Sequence, residues 1–277
     1  LSRQRIWSLA RGLTGVTIAL MLGVLGPLSA STVYAETLQG TLDYYIVDYP
    51  DGSHRSEFTV TDSLGREQSL EVNAALMQEL RRLGRGADVK ISGRLVDSIF
   101  EVTAIDPASS AAVSTGILST TGTRAIVAII VNLSDATNSC TSANLNGALY
   151  RTDDADGVSV RGVYEQSSDG LLTFNSDRDG NSVVDIFGPY TISNGSAGCD
   201  YRAWGTAAEA AATAAGVNLS LYNHRLFIVP QSTSSVCGWA GIANLGCSST
   251  CRAWSNLCTN ITVIAHELGH NLGYEHS

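Results

Sequence analysis

The sequence predicts an α+β protein in which a small, strand-rich module precedes a larger domain with a mixed sheet and helices. Residues 36–105 contain short apolar segments separated by turn signals, as in a small β-barrel. Residues 124–277 begin with a near-continuous apolar run, typical of a strand buried on both faces, and continue with segments that carry helix caps. Residues 106–123 are rich in Ala, Ser, Thr and Gly and almost free of charge, which indicates a linker.

The module at residues 36–105 is expected to consist of five strands and one helix. The strands are predicted at residues 38–47, 54–61, 69–72, 88–95 and 99–104. Asn73 can cap a helix that continues to Leu83, and Gly84 can end it. Five strands with one inserted helix resemble a small barrel of the OB type. We interpret the module as a propeptide or an accessory domain.

The domain at residues 124–277 is expected to combine strands and helices in layers. Strands are predicted at residues 124–133, 159–165, 171–174, 183–187 and 224–229, and helices at residues 142–150 and 201–215. Asp200 can cap the longer helix and Gly216 can end it. Strands interspersed with helices favour a mixed sheet that is covered by helices.

The first 35 residues have the organisation of a secretion signal. Arg3, Arg5 and Arg11 precede an apolar run over residues 13–28, and small residues follow up to Ala35, where we expect cleavage. An uncleaved anchor helix is the alternative, but the run is shorter than the about 20 apolar residues that a membrane span needs. We therefore expect a secreted protein, or a periplasmic one in a Gram-negative source, without stable membrane insertion after cleavage.

The charge of the chain argues against nucleic acid as a partner. The sequence contains 17 basic and 26 acidic residues, and the first 35 residues hold three of the basic ones and none of the acidic ones, so the remainder has a formal charge of -12. Lys90 is the only lysine and the arginines are scattered, so no basic stripe is formed. A nucleic-acid-binding barrel is therefore disfavoured as a function.

All six cysteines lie in the second half of the chain. They are Cys140, Cys199, Cys237, Cys247, Cys251 and Cys258. An even number in an exported protein favours three disulfides, although six cysteines allow 15 pairings. A metal site built from Cys247 and Cys251 is the alternative, which an oxidising compartment disfavours.

The candidate metal ligands are concentrated in residues 266–276, which contain three of the five histidines. His266 and His270 are four residues apart, so one face of a helix would present both imidazoles to one ion. Gly273 lies where the helix must end, and glycine accepts the positive φ of a chain reversal that would bring His276 in as the third ligand. Three protein nitrogens leave the fourth tetrahedral position to water, as in catalytic zinc sites.

Glu267 is the candidate catalytic base because it lies beside the first ligand without being placed to bind the metal. The expected reaction is peptide hydrolysis, in which zinc polarises the scissile carbonyl and Glu267 deprotonates the zinc-bound water. The pattern HExxHxxGxxH fixes five positions and is far more specific than HExxH alone. Two alternatives stay open. The histidines could simply terminate a core helix, or the protein could be a secreted, non-catalytic zinc-containing adhesion or binding protein, which the presence of Glu267 disfavours.

Residues 237–247 (CGWAGIANLGC), residues 251–254 (CRAW) and the histidine motif together resemble the gametolysin-type metallopeptidases, a metzincin family that lyses algal cell walls. The resemblance implies a metzincin-like catalytic domain and a secreted endopeptidase with a propeptide, acting on extracellular matrix or cell-wall proteins. Ser277 after the third histidine is also similar to matrixins, but the N-terminal half contains no cysteine switch. Metzincins carry a methionine-containing turn beneath the metal. The sequence ends before one, so we expect a chain truncated after the zinc-binding motif.

Latency and a second metal are the two remaining expectations. Because the module contains no cysteine, it must block the cleft sterically or through an oxygen ligand, and residues 106–123 offer a site for maturation cleavage. Residues 175–181 (NSDRDGN) resemble the first half of a Ca2+ loop, but Asp185 falls one place early for the closing acid. An Asp-Gly turn explains the same residues and is favoured. His54 and His224 lack partners at ligand spacing and are interpreted as ordinary surface or strand residues.

Overall fold

The N-terminal part of the fold is built from five strands and one helix. The computed structural model describes residues 36–106, 120–151, 159–247 and 249–276. The strands of the module are β1 (Glu36–Asp48), β2 (His54–Thr61), β3 (Glu67–Glu71), β4 (Asp88–Val96) and β5 (Ile99–Ile105), and helix α1 (Ala74–Leu83) connects β3 to β4. In β4, Val89 and Ile91 are buried while the residue before each is exposed, which is the period of a half-buried strand.

Each of these five strands pairs with two others of the module, so the pairing forms a closed ring. β1 pairs with β4 through its first half and with β2 through its second half. β3 lies between β2 and β5, and β5 pairs with β4. Buried side chains from the strands and α1 form one apolar cluster, which includes Leu42, Tyr44, Phe58, Val60, Leu80, Ile91 and Phe100. The predicted five strands and helix are present, but ring pairing alone does not establish a barrel of the OB type, which stays a prediction.

The following domain is a mixed sheet with helices, as predicted. Its strands are β6 (Gly122–Asn132), β7 (Leu172–Asn175), β8 (Ile186–Thr191), β9 (His224–Ile228), β10 (Gly241–Asn244) and β11 (Cys251–Ser255). Its helices are α2 (Ser142–Tyr150), α3 (Val160–Ser167), α4 (Tyr201–Ala214), α5 (Thr233–Cys237) and α6 (Ile261–Asn271). β6 pairs in parallel with β7, β8 and β9, β11 is parallel to β9, and β10 is antiparallel to β11. On its other side β10 pairs with β1, so the strands of the module and of the domain form one continuous sheet.

Alternate side chains of β6 belong to two separate apolar clusters, one on each face of the sheet. On one face, Trp204 and Ala208 of α4 belong to the same cluster as Val127, Ile129 and Val131. On the other face, Leu145 of α2 and Leu268 of α6 belong to the same cluster as Ile126, Ala128 and Ile130. Because helices cover both faces, β6 is apolar at consecutive positions, as the sequence predicts.

The strand predicted at residues 159–165 is wrong. This segment contains α3, and the Ser159 hydroxyl caps it by accepting a hydrogen bond from Gly162 N–H at 3.1 Å. Its buried residues Val160 and Tyr164 are four apart, which is helical spacing. β8 begins at Ile186, three residues later than predicted, and α5, β10 and β11 were not predicted because each has only four or five residues.

Two predicted segments fall outside the described residues. They are the signal at residues 1–35 and residues 107–119 of the linker. In the described part of the chain, no helix is long and apolar enough to span a bilayer.

The predicted three disulfides are confirmed, and no cysteine is free. Cys140 pairs with Cys258, Cys199 with Cys237, and Cys247 with Cys251. The last bridge closes the loop between β10 and β11, so its two thiolates are not available to a metal. The alternative metal site at these cysteines is therefore wrong.

Replacing Cys140 and Cys258 by serine should cost about 3 kcal/mol more of the free energy of unfolding than replacing Cys247 and Cys251, since stabilisation grows with the length of the closed loop. The two bridges span 118 and 4 residues respectively. Denaturant unfolding of the two double variants measures the difference. An equal loss in both would show that loop length does not determine their contribution.

Candidate metal centre

Helix α6 presents the histidine motif because its sequence defines its ends and its buried side. The Asn260 side chain caps the first turn by accepting a hydrogen bond from Val263 N–H at 3.1 Å. Ile264 and Leu268, four residues apart, are fully buried against the sheet. After the helix, Gly273 reverses the chain with φ of 93°, a conformation that glycine adopts without strain.

The three imidazoles of the motif come together as their spacing predicts. The ring centroids of His266 and His270 are 4.7 Å apart, and the His276 ring lies 5.0 Å from each of them. The side chain of His270 is only 3% exposed, that of His276 is 22% exposed and that of His266 is 44% exposed. The group therefore lies at the surface end of a buried helix, with one ring accessible to solvent.

Hydrogen bonds fix the orientation of this end of α6. Nδ1 of His270 lies 2.6 Å from the Tyr274 carbonyl oxygen, to which it can donate, and this leaves Nε2 to face the other imidazoles. The next residue, Asn271, donates from Nδ2 to the carbonyl oxygens of Asn244 and Arg252 at 3.0 and 3.1 Å. The imidazole is thus oriented by the chain reversal, and the helix is attached to the β10–β11 hairpin.

Asp48, the last residue of β1, is a fourth member of the cluster that sequence reasoning missed. Its Oδ2 atom lies 3.1 Å from Nε2 of His270 and 3.5 Å from Nε2 of His266. Its Oδ1 atom lies 2.7 Å from Nε2 of His276. One ligand atom from each of these four residues lies within 4.8 Å of the others, which is a group that could hold a metal ion.

The electrostatics of the cluster follow from burial and from the proximity of its members. Burial alone would raise the pKa of Asp48, but hydrogen bonds and charge interactions with His266 and His270 hold that pKa below its usual value. Burial lowers the pKa of His276, and nearby imidazoles lower it further against the opposing charge of Asp48. An ionised carboxylate and a neutral imidazole are the forms that bind metals.

Glu267 is buried beside this cluster and is 1% exposed. Neither of its carboxylate oxygens has a hydrogen-bond partner among the described residues. Burial, and then the charge of Asp48, raises the pKa of Glu267 well above its usual value. The carboxylate lies directly against the backbone of β10, because a Cβ atom built on Gly241 would be 2.0 Å from Glu267 Oε1. Gly241 is also the residue of β10 that pairs with Asp48.

The donor set fits a metal ion. Three imidazole nitrogens and a carboxylate oxygen are ligands that zinc commonly takes. Within the described part of the chain, Nε2 of His276 is buried and makes no hydrogen bond despite its short distance to Asp48, and the oxygens of Glu267 are also without partners. Buried polar atoms without partners are rare in folded proteins, and a metal ion would give Nε2 of His276 a partner.

The two remaining histidines have different surroundings. His54, the first residue of β2, is exposed, but its ring stacks on His276 with centroids 4.0 Å apart and planes 7° from parallel. His224, the first residue of β9, is buried, and burial lowers its pKa to about 4. His224 Nδ1 lies 3.2 Å from Cys251 Sγ, a sulfur that is already in a disulfide.

The predicted turn at residues 175–181 brings three carboxylates together, with oxygens of Asp177, Asp179 and Asp185 within 4.8 Å of one another. The Asp177 carboxylate accepts hydrogen bonds from the backbone N–H groups of Gly180, Asn181 and Ser182. This hydrogen-bonding pattern is that of a tight turn, so the turn explains the sequence of these residues and no Ca2+ ion is needed to explain it.

Comparison with known proteins identifies the class to which this arrangement belongs. The family model of the gametolysin peptidases, M11, matches residues 125–277, which is more than half of the chain. The chain therefore belongs to this family of metallopeptidases, as the resemblance of residues 237–277 implies. A search of curated proteins found no match. The matched range includes the three clustered histidines and Glu267, whereas Asp48 lies outside it.

Gly241→Ala should lower the free energy of unfolding by about 1–3 kcal/mol, because its methyl group would collide with a fully buried carboxylate. Gly147→Ala is the matched control, since a Cβ on this glycine of α2 meets nothing within 4 Å. Alanine there should leave stability unchanged or raise it slightly. Chemical unfolding of both variants measures this, and equal stabilities would show that Glu267 is not held against β10.

Proposed function

We propose that this protein is a secreted, zinc-dependent endopeptidase of the metzincin type that hydrolyses extracellular matrix or cell-wall proteins. The observation that carries the proposal is the convergence of three imidazoles beside a buried glutamate whose oxygens have no hydrogen-bond partner. A family of metallopeptidases that matches this same part of the chain supports it. The three disulfides and the signal-like sequence of the first 35 residues support export.

His266, His270 and His276 would hold the zinc ion. When bound, zinc supplies a Lewis acid that polarises a carbonyl group and lowers the pKa of a water molecule toward about 7. His270 is kept in place for this role by the hydrogen bond between its Nδ1 atom and the Tyr274 carbonyl. Such outer hydrogen bonds fix the tautomer and the direction of a metal-binding imidazole.

Glu267 would move the proton during hydrolysis. Its buried carboxylate has a raised pKa, so it holds a proton more strongly than an exposed glutamate does. It would take the proton from the attacking water and then donate it to the amine that leaves the cleaved peptide bond. The contact with Gly241 keeps the carboxylate beside β10, where this transfer must occur.

β10 would position the substrate. Within residues 122–255 it pairs with β11 alone, and its other edge, which pairs with β1 in this structure, could pair with an extended peptide if β1 were displaced. Main-chain pairing of this kind binds peptides with little dependence on their side chains. A protein or peptide substrate that pairs with β10 would cross the site beside Glu267 and the imidazoles.

Glu267→Gln should reduce hydrolysis by at least about a hundredfold while leaving the zinc content unchanged, because the carboxylate handles the proton and does not bind the metal. Cleavage of an unfolded protein is measured, with metal analysis, before and after limited proteolysis between residues 106 and 120. Undiminished cleavage by the variant would exclude Glu267 as the base. No chelator-sensitive cleavage by any form of the chain would favour a non-catalytic binding protein.

His276→Ala should weaken zinc binding by at least about tenfold, since loss of even an outer hydrogen-bond partner of a ligand costs that much. Glu275→Ala is the matched control because Glu275 is adjacent and exposed. Competition with a chromogenic chelator gives both affinities. If the two variants retain zinc equally, His276 is not a ligand.

A further inference from the structure

The second half of β1 belongs to two pairings at once. Residues 41–48 pair with β2 inside the module, and Tyr45 to Asp48 also pair with β10, in the register Tyr45 to Asn244 and Asp48 to Gly241. The edge of β10 with which the proposed substrate would pair is therefore already paired with β1 of the module. An extended peptide could not pair with β10 while β1 is in place.

Asp48 of the same strand also contacts the three imidazoles that would bind the metal. It stands at the last paired position of β1, opposite Gly241, which is the residue in contact with Glu267. Its two oxygens reach all three imidazoles at 2.7 to 3.5 Å. A carboxylate oxygen is a normal fourth ligand of zinc, and in that position it leaves no place for the water that Glu267 must deprotonate.

Packing holds this strand firmly in the catalytic domain. Tyr45 and Val47 belong to the same buried cluster as Trp239, Ile242 and Trp254. Backbone hydrogen bonds continue the attachment at both ends of the pairing. Ala240 N–H donates to the Asp48 carbonyl at 2.8 Å, and Leu245 N–H donates to the Tyr44 carbonyl at 3.0 Å.

Charged side chains add further contacts between the module and the domain. Arg85, which is held by an ion pair with Asp43 inside the module, donates to the Thr250 carbonyl of the domain at 2.9 Å. Arg202 of α4 lies 3.3 Å from Glu67 of β3. The stacking of His54 on His276 and the contacts of Asp48 place the β1–β2 hairpin against the imidazoles.

The module is linked covalently to the domain through the polypeptide backbone and not through a disulfide. The module contains no cysteine, and all three disulfides lie between residues 140 and 258. After cleavage between residues 106 and 120, the module would be retained by non-covalent contacts alone. Its release would then expose β10 and remove Asp48 together.

We propose that the β1–β2 hairpin is an intramolecular inhibitor, in which β1 occupies the substrate strand and Asp48 is the fourth ligand of the metal. This proposal rests on the proposed function and specifies how that function is regulated. It also accounts for latency without a cysteine, since the blocking ligand is an oxygen.

The test uses the uncleaved chain loaded with Co2+, whose visible absorption reports the ligands of the metal. We expect the spectrum of the unchanged chain to be insensitive to a hydroxamate, a ligand that needs an open coordination position. Asp48→Ala and the isosteric Asp48→Asn should change the spectrum and lower the apparent Kd for the hydroxamate by at least about tenfold, because an occupied site reduces apparent affinity. Asp51→Asn, in the exposed turn after β1, is the matched control and should behave like the unchanged chain.

Hydrolysis of an unfolded protein, assayed with the same zinc-loaded chains, separates this proposal from the proposed function. We expect activity in the uncleaved Asp48 variants and in the unchanged chain after the module is released. Identical spectra and hydroxamate affinities for the unchanged chain and both Asp48 variants would overturn the role of Asp48, even if released enzyme is active. Altered spectra without hydrolysis in any form would support Asp48 as the ligand and overturn the peptidase.

Discussion

The C-terminal end of α6 is hydrogen-bonded both to the chain reversal that follows it and to the β10–β11 hairpin, and the second contact sets where the site lies on the sheet. The last carbonyl groups of a helix have no partners within it. Here the His270 carbonyl accepts from Gly273 N–H at 2.9 Å and from Gly246 N–H of the hairpin at 2.8 Å, and the Asn271 side chain donates to two carbonyls of the hairpin. The same hairpin places Gly241 against the carboxylate of Glu267. One packing contact therefore fixes both the imidazole group and the neighbouring glutamate.

The features that could be predicted from the sequence are those whose signal is local. Three histidines within eleven residues meet because a helical turn and one glycine suffice to bring them together. Local signals also mark α2 and α4, which carry caps, and β6, which is a continuous apolar run between polar segments. The segment of α3 was assigned the wrong period because eight residues contain too few repeats to distinguish a helix from a strand. The cysteine count predicted three bridges, but their pairing requires the fold.

Asp48 could not be predicted from spacing, because it is 222 residues from His270 along the chain. Its neighbourhood in the sequence is that of a turn, with Pro50 and Gly52 close by. One signal was nevertheless present. Residues 44–47 are all apolar and buried, so an acid that directly continues this strand is also buried. A buried carboxylate needs a positive partner or a metal, and the clustered histidines were the evident candidates.

The position of β10 between β1 and β11 has a consequence for solubility. While the module is attached, the four residues Gly241–Asn244 pair with β1 on one side, and the first three of them pair with β11 on the other. Without β1, those four residues would form an open edge of a sheet, beside apolar side chains such as Ile242 and Trp239 that the module now helps to bury. Open, apolar strand edges pair with one another and promote aggregation. On this basis, we expect the chain without the module to self-associate more readily than the chain that retains it.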